Sequence, residues 1–423
     1  MLRRGSLARR SATEWGSRGL LAVIAAAGAY VGVTHTLAST LRGGDVERAY
    51  ALTPGDGRVV GLLAQKLSGA EATAKDRARS DRLARAALRR DPTVVAAVSA
   101  LGINAQVRGD MAGARRLFAY AGALSRRDLQ AQIWAIEDAV GRGDIPGALK
   151  HYDIALRTSR RAPDLLFPIL ASAIADPAIR AALTGTLAGG PVWGASFVSY
   201  VAGNGADPRS TSSLLLALRR AGVPVSDEAN ATAINALMAG DLLDEAWFHY
   251  SSVRPGADRR MSRDPRFIAE VVSPSVFDWT PIDAAGVSVS IQRGDGGGVV
   301  DFAAPASVGG PLLRQSQMLP PGNYRLVGRS AELDQLENAR PYWTLTCRDG
   351  RELGRITMPN SIQANGVFRG RFDVPAGCPT QILTLVARPS NAIAGLVGRI
   401  LEVRLYPARS PASEFPFRKG KGR

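Results

Sequence analysis

The sequence predicts a multidomain α + β protein with an N-terminal transmembrane helix, an α-helical repeat solenoid and a C-terminal antiparallel β-sandwich. Residues 19–41 contain no Lys, Arg, Asp or Glu. In the helical part a sequence motif recurs after 34 residues. Short segments of alternating polar and apolar residues begin near residue 272. The predicted domains are a basic cytoplasmic segment (1–18), the transmembrane helix (19–41), the solenoid (42–271), the sandwich (272–410) and a basic tail (411–423).

The uncharged stretch near the N-terminus is 23 residues long. At about 1.5 Å per residue it is long enough to span a hydrocarbon core of about 30 Å. Five arginines precede it against the single acid Glu14, which predicts a cytoplasmic N-terminus and an exported body. A cleaved signal peptide is the alternative, with Thr36-Leu37-Ala38 as the small-residue cleavage site. The stretch exceeds most signal-peptide apolar regions, which favours a retained anchor.

The repeat is visible as Arg108-Gly109-Asp110, which recurs as Arg142-Gly143-Asp144. A period of this length is typical of helix pairs that bury their apolar sides by stacking on their neighbours. In each repeat we expect Gly to end one helix and Asp to cap the next. Three helix pairs are predicted between about residues 57 and 162, with a diverged continuation toward residue 271.

The pattern resembles the tetratricopeptide repeat family, which combines a Leu-Gly pair in its first helix with a small, an aromatic and another small residue in its second. Small residues permit close helix approach, and the aromatic ring fills the adjacent space. Ile136 departs from the pattern where Gly is expected, as does Arg126 where Pro is expected. The resemblance implies a groove for protein partners. The signature residues are Leu101, Gly102, Gly109, Ala114, Phe118, Ala121, Gly143, Ala148, Tyr152 and Ala155.

The net charge of +16 is concentrated at the two ends of the chain. Residues 1–18 and 418–423 each contribute +4, so only +8 remains over the 399 residues between them. A mildly basic exported surface favours anionic lipid or acidic glycan as a partner. No helix-turn-helix, zinc-finger or RNA-binding signature is present, so nucleic acid is not an expected partner.

Alternation with period two defines the C-terminal part. Residues 368–374 place Phe368 and Phe372 on one face and Arg369, Arg371 and Asp373 on the other. Asp349-Gly350 predicts a hairpin turn. Eight or nine such strands in about 135 residues predict a β-sandwich.

The two cysteines, Cys347 and Cys378, both fall within this predicted sandwich. In an oxidising compartment an even pair in one domain is a disulfide candidate. Two buried free thiols are the alternative.

The stretch Gln317-Met-Leu-Pro-Pro-Gly322-Asn-Tyr324-Arg-Leu326 resembles galactose-binding-like jelly rolls that bind carbohydrate. The resemblance implies an exposed aromatic platform with polar neighbours. Phe368, Phe372 and Trp343 are expected in the core, whereas Tyr342 points the other way and is the platform candidate. Its candidate partners for an acidic sugar are Arg325, Arg340 and Arg369.

The sequence contains no recognisable catalytic constellation. Its three histidines lack companions at metal-ligand spacing, and the Gly-rich run at 294–298 precedes a strand and lacks a Lys-Ser/Thr ending, which predicts a hairpin loop. We therefore expect no cofactor, no metal and no enzymatic activity. A glycan-modifying enzyme using Asp278 with Asp283, or Glu332 with Asp334, is an alternative.

The combination of anchor, repeats and sandwich resembles proteobacterial envelope proteins found with exopolysaccharide machinery. The resemblance implies a single-pass inner-membrane protein, with its bulk in the periplasm, that holds protein partners and polysaccharide. A pure protein–protein adaptor for envelope biogenesis, with a purely structural sandwich, is the competing interpretation.

Overall fold

The structure, a computed structural model, describes residues 12–284, 286–294, 297–389 and 395–408. Most of the basic N-terminal segment, part of the Gly-rich run and the basic tail lie outside the described residues. Within them the chain forms helices followed by two antiparallel sheets, which confirms the α + β class. The chain divides into two compact units, residues 1–166 and 167–423.

Fourteen α-helices occur in the described ranges: α1 Ala12–Leu41, α2 Val46–Leu52, α3 Gly57–Lys66, α4 Ala74–Arg90, α5 Val95–Val107, α6 Met111–Leu124, α7 Leu129–Gly141, α8 Ile145–Thr158, α9 Ala162–Ala173, α10 Pro177–Ala188, α11 Gly194–Asn204, α12 Pro208–Arg220, α13 Asp227–Ala239 and α14 Leu243–Val253.

Helix α1 contains the segment Thr13–Leu41, which is long and apolar enough to cross a membrane; it is the one such helix among the described residues. Its last turns contact the next helices, because buried Ala38 packs against Ala49 of α2 and Val59 of α3. The helix therefore runs without a break from the apolar stretch into the helical array.

Three helix pairs follow, α3–α4, α5–α6 and α7–α8, in the range that the repeat predicts. At both turns that contain the repeated Arg-Gly-Asp motif, the glycine adopts a left-handed conformation, with φ of +83° at Gly109 and +70° at Gly143. The next residue caps the following helix, since Asp110 accepts a hydrogen bond from the Gly113 N–H and Asp144 accepts one from the Gly147 N–H. These turns have the capping chemistry expected from the sequence.

The small residues of the repeat mark positions where helices approach closely. A Cβ added to Gly102 of α5 would lie 2.7 Å from the Phe118 ring of α6. That ring stacks on Trp134 of α7, with 4.4 Å between the centroids. Gly102 thus makes room for an aromatic pair that connects three successive helices.

Within its described residues the second unit joins helices to ten strands, one or two more than the sequence predicts. The strands in the described ranges are β1 Thr280–Pro281, β2 Ser288–Gly294, β3 Gly297–Ala304, β4 Gly310–Gln317, β5 Gly322–Ala331, β6 Tyr342–Cys347, β7 Glu352–Thr357, β8 Val367–Val374, β9 Gln381–Ala387 and β10 Leu396–Pro407. Strand β1 has only two residues, too few to show alternation. Short 3-10 helices occupy Glu337–Ala339 and Gln363–Gly366.

The strands form two five-stranded sheets with orders β1-β4-β9-β6-β7 and β2-β3-β10-β5-β8. We call them the tyrosine sheet, which carries Tyr342, and the arginine sheet, which carries Arg325. Their inner faces share one core that includes Trp343, Phe368 and Phe372. The disulfide Cys347–Cys378 lies at the end of β6, with 5.7 Å between the two Cα atoms.

An irregular segment connects α14 to the sandwich and packs into it. The Ser262 N–H donates to the Leu405 carbonyl (2.9 Å), and the Val403 N–H donates to the Pro265 carbonyl (2.9 Å). Phe267 is fully buried in the sandwich core. The segment therefore ties the end of the helices to β10.

Arg263 in this segment is a buried cation held between helix and sheet. Its guanidinium donates to the Phe277 carbonyl (3.1 and 2.9 Å), to Gln317 Oε1 (2.9 Å) and to the Ser316 carbonyl. It also lies 5.7, 5.9 and 5.6 Å from the ring centroids of Trp247, Tyr250 and Phe277, respectively. Burial lowers the pKa of this guanidinium from its usual value. The several acceptors offset the cost of removing the charge from water.

Candidate functional site

The outer side of the arginine sheet carries a row of basic residues on neighbouring strands. Arg325 on β5 pairs with Arg371 on β8, and Arg369 pairs with Val327 two positions along. Arg369 and Arg371 are exposed and Arg325 is half-buried. Directly paired antiparallel residues have Cβ atoms about 5 Å apart. We call Arg325, Arg369 and Arg371 the arginine face.

The residue between the two β8 arginines explains their common direction. A Cβ on Gly370 would come within 2.3 Å of Ile356 on β7, so glycine is required by the inward side of the strand. Phe368 and Phe372 also point inward and are buried. Because these three residues face the core, the residues between them, Arg369 and Arg371, point toward solvent.

The arginine face carries three positive charges, and one exposed acid, Asp373, follows them on the same side of β8. Within the part of the chain that the structure describes, none of its three arginines forms an ion pair. On β10 of the same sheet, by contrast, Arg399 is paired with Asp301 (2.6 Å) and Glu332 (2.7 Å). Three adjacent guanidinium groups form a surface suited to carboxylate or phosphate groups.

Tyr342 lies on the other sheet, and its ring is in contact with two cations. The guanidinium carbons of Arg355 and Arg388 are 4.9 and 4.8 Å from the ring centroid. Arg388 also donates to the Thr357 hydroxyl (3.3 Å) beside it. A hydrogen bond to Glu352 raises the pKa of Arg355 from its usual value. The tyrosine is therefore part of a cation–π cluster.

The structure brings together only part of the sequence-derived set of glycan candidates. Arg325 and Arg369 share the arginine face, whereas Tyr342 lies on the tyrosine sheet. Arg340 lies in the loop before β6, where its Nε donates to the Gln335 carbonyl (3.4 Å). Sequence reasoning left Arg371 out of the set, although the alternation of β8 already placed it on the same side as Arg369.

Three of the four acids considered for catalysis have local partners, and the fourth, Asp283, is exposed. Asp278 accepts from the Tyr250 hydroxyl (2.9 Å) and from the Ser275 N–H (2.9 Å). Glu332 pairs with Arg399, and Asp334 accepts from the Asn360 amide (2.9 Å). Burial, with the Asp278 charge as a lesser cause, raises the pKa of Tyr250 from its usual value.

Asp278 lines a cavity of about 220 Å³, together with Asp264, Trp279, Ile291 and Arg293 among others. Asp264 accepts from the backbone N–H groups of Ile268 (2.8 Å) and Ala269 (3.1 Å). Its carboxylate thus supports the loop that forms the cavity wall. Among the described residues, no group of three His, Cys, Asp or Glu side chains could hold a metal ion.

No family model matches the chain, and no curated protein matches it. One similar solved structure is the enzymatically active domain of tailspike protein 4 from bacteriophage CBA120, at 13% identity over 31% of this chain and 20% of that chain, with a TM-score of 0.22. Another is TmCBM61 in complex with β-1,4-galactotriose, at 16% identity over 30% of this chain and 88% of that chain, with a TM-score of 0.23. A third is a glycosylation-associated protein complex from Streptococcus agalactiae, at 12% identity over 31% of this chain and 43% of that chain, with a TM-score of 0.20.

The prediction that the chain is not an enzyme is corrected by these comparisons, because one of the similar solved domains is enzymatically active. The physical reason is that a fold does not determine its chemistry, which depends on the particular side chains at its surface and in its loops. At a TM-score of 0.22, the tailspike domain assigns no reaction to this chain.

Proposed function

We propose that this protein is a membrane-anchored envelope scaffold that holds an acidic polysaccharide on its arginine face and protein partners on its helical repeats. Its place is exopolysaccharide assembly or secretion at a bacterial inner membrane, with the N-terminus cytoplasmic and the bulk periplasmic. The helical pairs act as repeats of the tetratricopeptide kind. The observation that carries the proposal is the arginine face, where three cations on adjacent strands form no ion pair among the described residues and outnumber the neighbouring Asp373.

The chemistry of the arginine face favours an acidic polymer over a neutral one. A guanidinium group binds a carboxylate through two parallel hydrogen bonds, which supplies geometry as well as charge. An extended polymer presents its acids at regular intervals, so it can engage several arginines at once, and each contact raises the local concentration for the next.

Three features support the proposed location and orientation. Helix α1 is long and apolar enough to cross a membrane. The disulfide Cys347–Cys378 belongs to an oxidising compartment, which the periplasm provides. The five N-terminal arginines favour the cytoplasmic side for the other end of the helix.

Affinity gel electrophoresis of the full chain in mild detergent tests the proposal. Acidic and neutral bacterial polysaccharides are cast into parallel gels. We expect an acidic polymer to retard the protein, and the variant Arg369→Gln/Arg371→Gln to lose at least about tenfold in apparent affinity, because each guanidinium–carboxylate pair contributes charge-assisted hydrogen bonds. The control Arg314→Gln/Arg351→Gln removes the same charge from the tyrosine sheet and its turn, and should keep wild-type retardation.

Two outcomes would contradict the proposal. Equal loss in both double variants would mean that net charge, and not the arginine face, causes the retardation. Migration unchanged by any polymer would leave the helical repeats as the functional part, as expected for a protein–protein adaptor.

A further inference from the structure

The exposed length of α1 indicates where the helix leaves the membrane. Every residue from 13 to 33 is exposed, and contact with the rest of the chain begins at Thr34. Thr34, Ala38 and Leu41 then form one covered stripe at helical spacing. The exposed segment 13–33 measures about 31 Å, close to the hydrocarbon thickness of a bilayer, and lies nearer the N-terminus than the span 19–41 that the sequence predicts. Its charged residues, Glu14 and Arg18, lie in its first two turns, where the long Arg18 side chain reaches toward the cytoplasmic headgroups.

Two aromatic side chains in residues 13–33 support this position of α1 in the membrane. Trp15 is 53% exposed and Tyr30 is 72% exposed. Trp and Tyr are enriched at the two membrane–water interfaces because their rings are apolar with one polar group. Residues two to nine positions beyond 33 then lie at the level of the lipid headgroups, since each adds about 1.5 Å along the helix.

An open cavity of about 580 Å³ lies at this level, between the end of α1 and the connection from α2 to α3. It is lined by His35, Arg42, Thr53, Gly55, Asp56 and Arg58. The connection reaches alongside α1, because the His35 ring lies 3.9 Å from the Asp56 carboxylate. The cavity therefore lies at the end of α1 that leaves the bilayer.

The charges around the cavity favour an anion. Arg42 is exposed and has no ion pair within the described ranges, and Arg58 has one distant acid, Asp91, at 4.0 Å. The acid of the cavity, Asp56, caps α3, since its Oδ1 accepts from the Arg58 N–H (2.8 Å), so its one negative charge stands against the two arginines of the lining. Both guanidinium groups line the same cavity, and guanidinium is a strong hydrogen-bond donor to phosphate.

We infer that this cavity binds the phosphate of an anionic phospholipid in the periplasmic leaflet, held between Arg42 and Arg58. This inference rests on the proposed role of α1 as a retained anchor. The lipid would connect the membrane surface to α3, the first helix of the repeat array. The array would then be held at the bilayer by both the anchor helix and a headgroup.

Native mass spectrometry of the full chain tests the inference. The protein is exchanged into detergent containing equal amounts of phosphatidylglycerol, which is anionic, and phosphatidylcholine, which is zwitterionic. We expect the wild type to retain phosphatidylglycerol at least about fivefold over phosphatidylcholine, because only the former carries net negative charge to the two arginines. The variant Arg42→Gln/Arg58→Gln should lose that preference, whereas Arg48→Gln/Arg82→Gln, which removes two arginines outside the cavity lining, should keep it.

Equal preference for phosphatidylglycerol in the wild type and the Arg42→Gln/Arg58→Gln variant would overturn the inference. Circular dichroism of each variant checks that the fold is intact. Alkaline carbonate extraction of membranes separates this failure from that of the anchor. Release of the wild type by carbonate would contradict the retained anchor itself, whereas retention with an arginine-independent lipid preference would contradict only the headgroup site.

Discussion

His249 is fully buried in α14 between two polar side chains from neighbouring helices. Its Nδ1 hydrogen-bonds the Ser212 hydroxyl (2.8 Å), and its Nε2 hydrogen-bonds Asn230 Oδ1 (2.9 Å). Burial, with the charge of Arg219 as a lesser cause, lowers the pKa of His249 to about 4. The folded protein therefore keeps this imidazole neutral at a pH where an unfolded histidine binds a proton.

Because the pKa of His249 is lowered in the folded state, we expect the protein to lose stability in mild acid. Between the unfolded pKa of about 6.5 and the folded pKa of about 4, the unfolded state binds more protons, so stability falls as the pH falls. From about pH 7.5 to about pH 5 we expect a loss of about 2 kcal/mol, measured by urea unfolding. His249→Gln should be less stable overall but lack this dependence, and His151→Gln should keep it. The same pH slope in His249→Gln would contradict the assignment.

Close packing of helices in the array depends on which glycines face a neighbour. Gly102 of α5 lies against the Phe118 ring, whereas a Cβ placed on Gly122 of α6 would have nothing within 4 Å. Gly102 is therefore needed for helix packing, whereas Gly122 is not. Only the position facing a neighbouring helix requires the absence of a side chain.

The two glycines make a matched pair for mutation. Gly102→Ala should destabilise the first unit by about 1–2 kcal/mol, because the new methyl group overlaps a ring that Trp134 holds in place. Gly122→Ala should stabilise it by up to about 1 kcal/mol, since alanine is the better helix former and the space is open. Thermal unfolding followed by helical circular dichroism measures both. A stabilising Gly102→Ala would show that α5 and α6 can separate without cost.

At the scale of the molecule, the helices α10–α14 and the sandwich belong to one unit of the chain. Arg263 is central to that arrangement, since it contacts the aromatic rings of α14 and accepting groups of β4. It is also 7% exposed, so its acceptors have little access to water. Removing it would leave several buried carbonyl and amide oxygens without donors.

We therefore expect Arg263→Met to destabilise the second unit by about 3 kcal/mol or more, because each unpaired buried acceptor costs about 1–3 kcal/mol. The helical and the tryptophan fluorescence signals of that unit should shift together to lower urea concentration. Arg260→Met, which removes an exposed arginine paired with Asp258, should change stability by less than about 0.5 kcal/mol. A shift confined to the fluorescence signal would show that helices and sandwich unfold separately.

The sequence by itself determined the features that depend on neighbours along the chain. Gly109 with Asp110, and Gly143 with Asp144, predicted the turns between helices, because left-handed glycine and aspartate caps act within a few residues. Alternation placed Phe368 inward and Arg369 outward, since successive side chains of a strand point to opposite faces. The apolar stretch of α1 predicted a helix able to span a membrane from its length alone.

Only the tertiary structure decided which of these residues meet. It placed Arg371 opposite Arg325 and put Tyr342 on the other sheet, because strand order and register depend on pairings between distant segments. It likewise brought Arg58 beside the end of α1, where Arg42 lies. Periodicity specifies the direction of a side chain relative to its own strand or helix, but the neighbour across a sheet or between helices is selected by packing of the whole core.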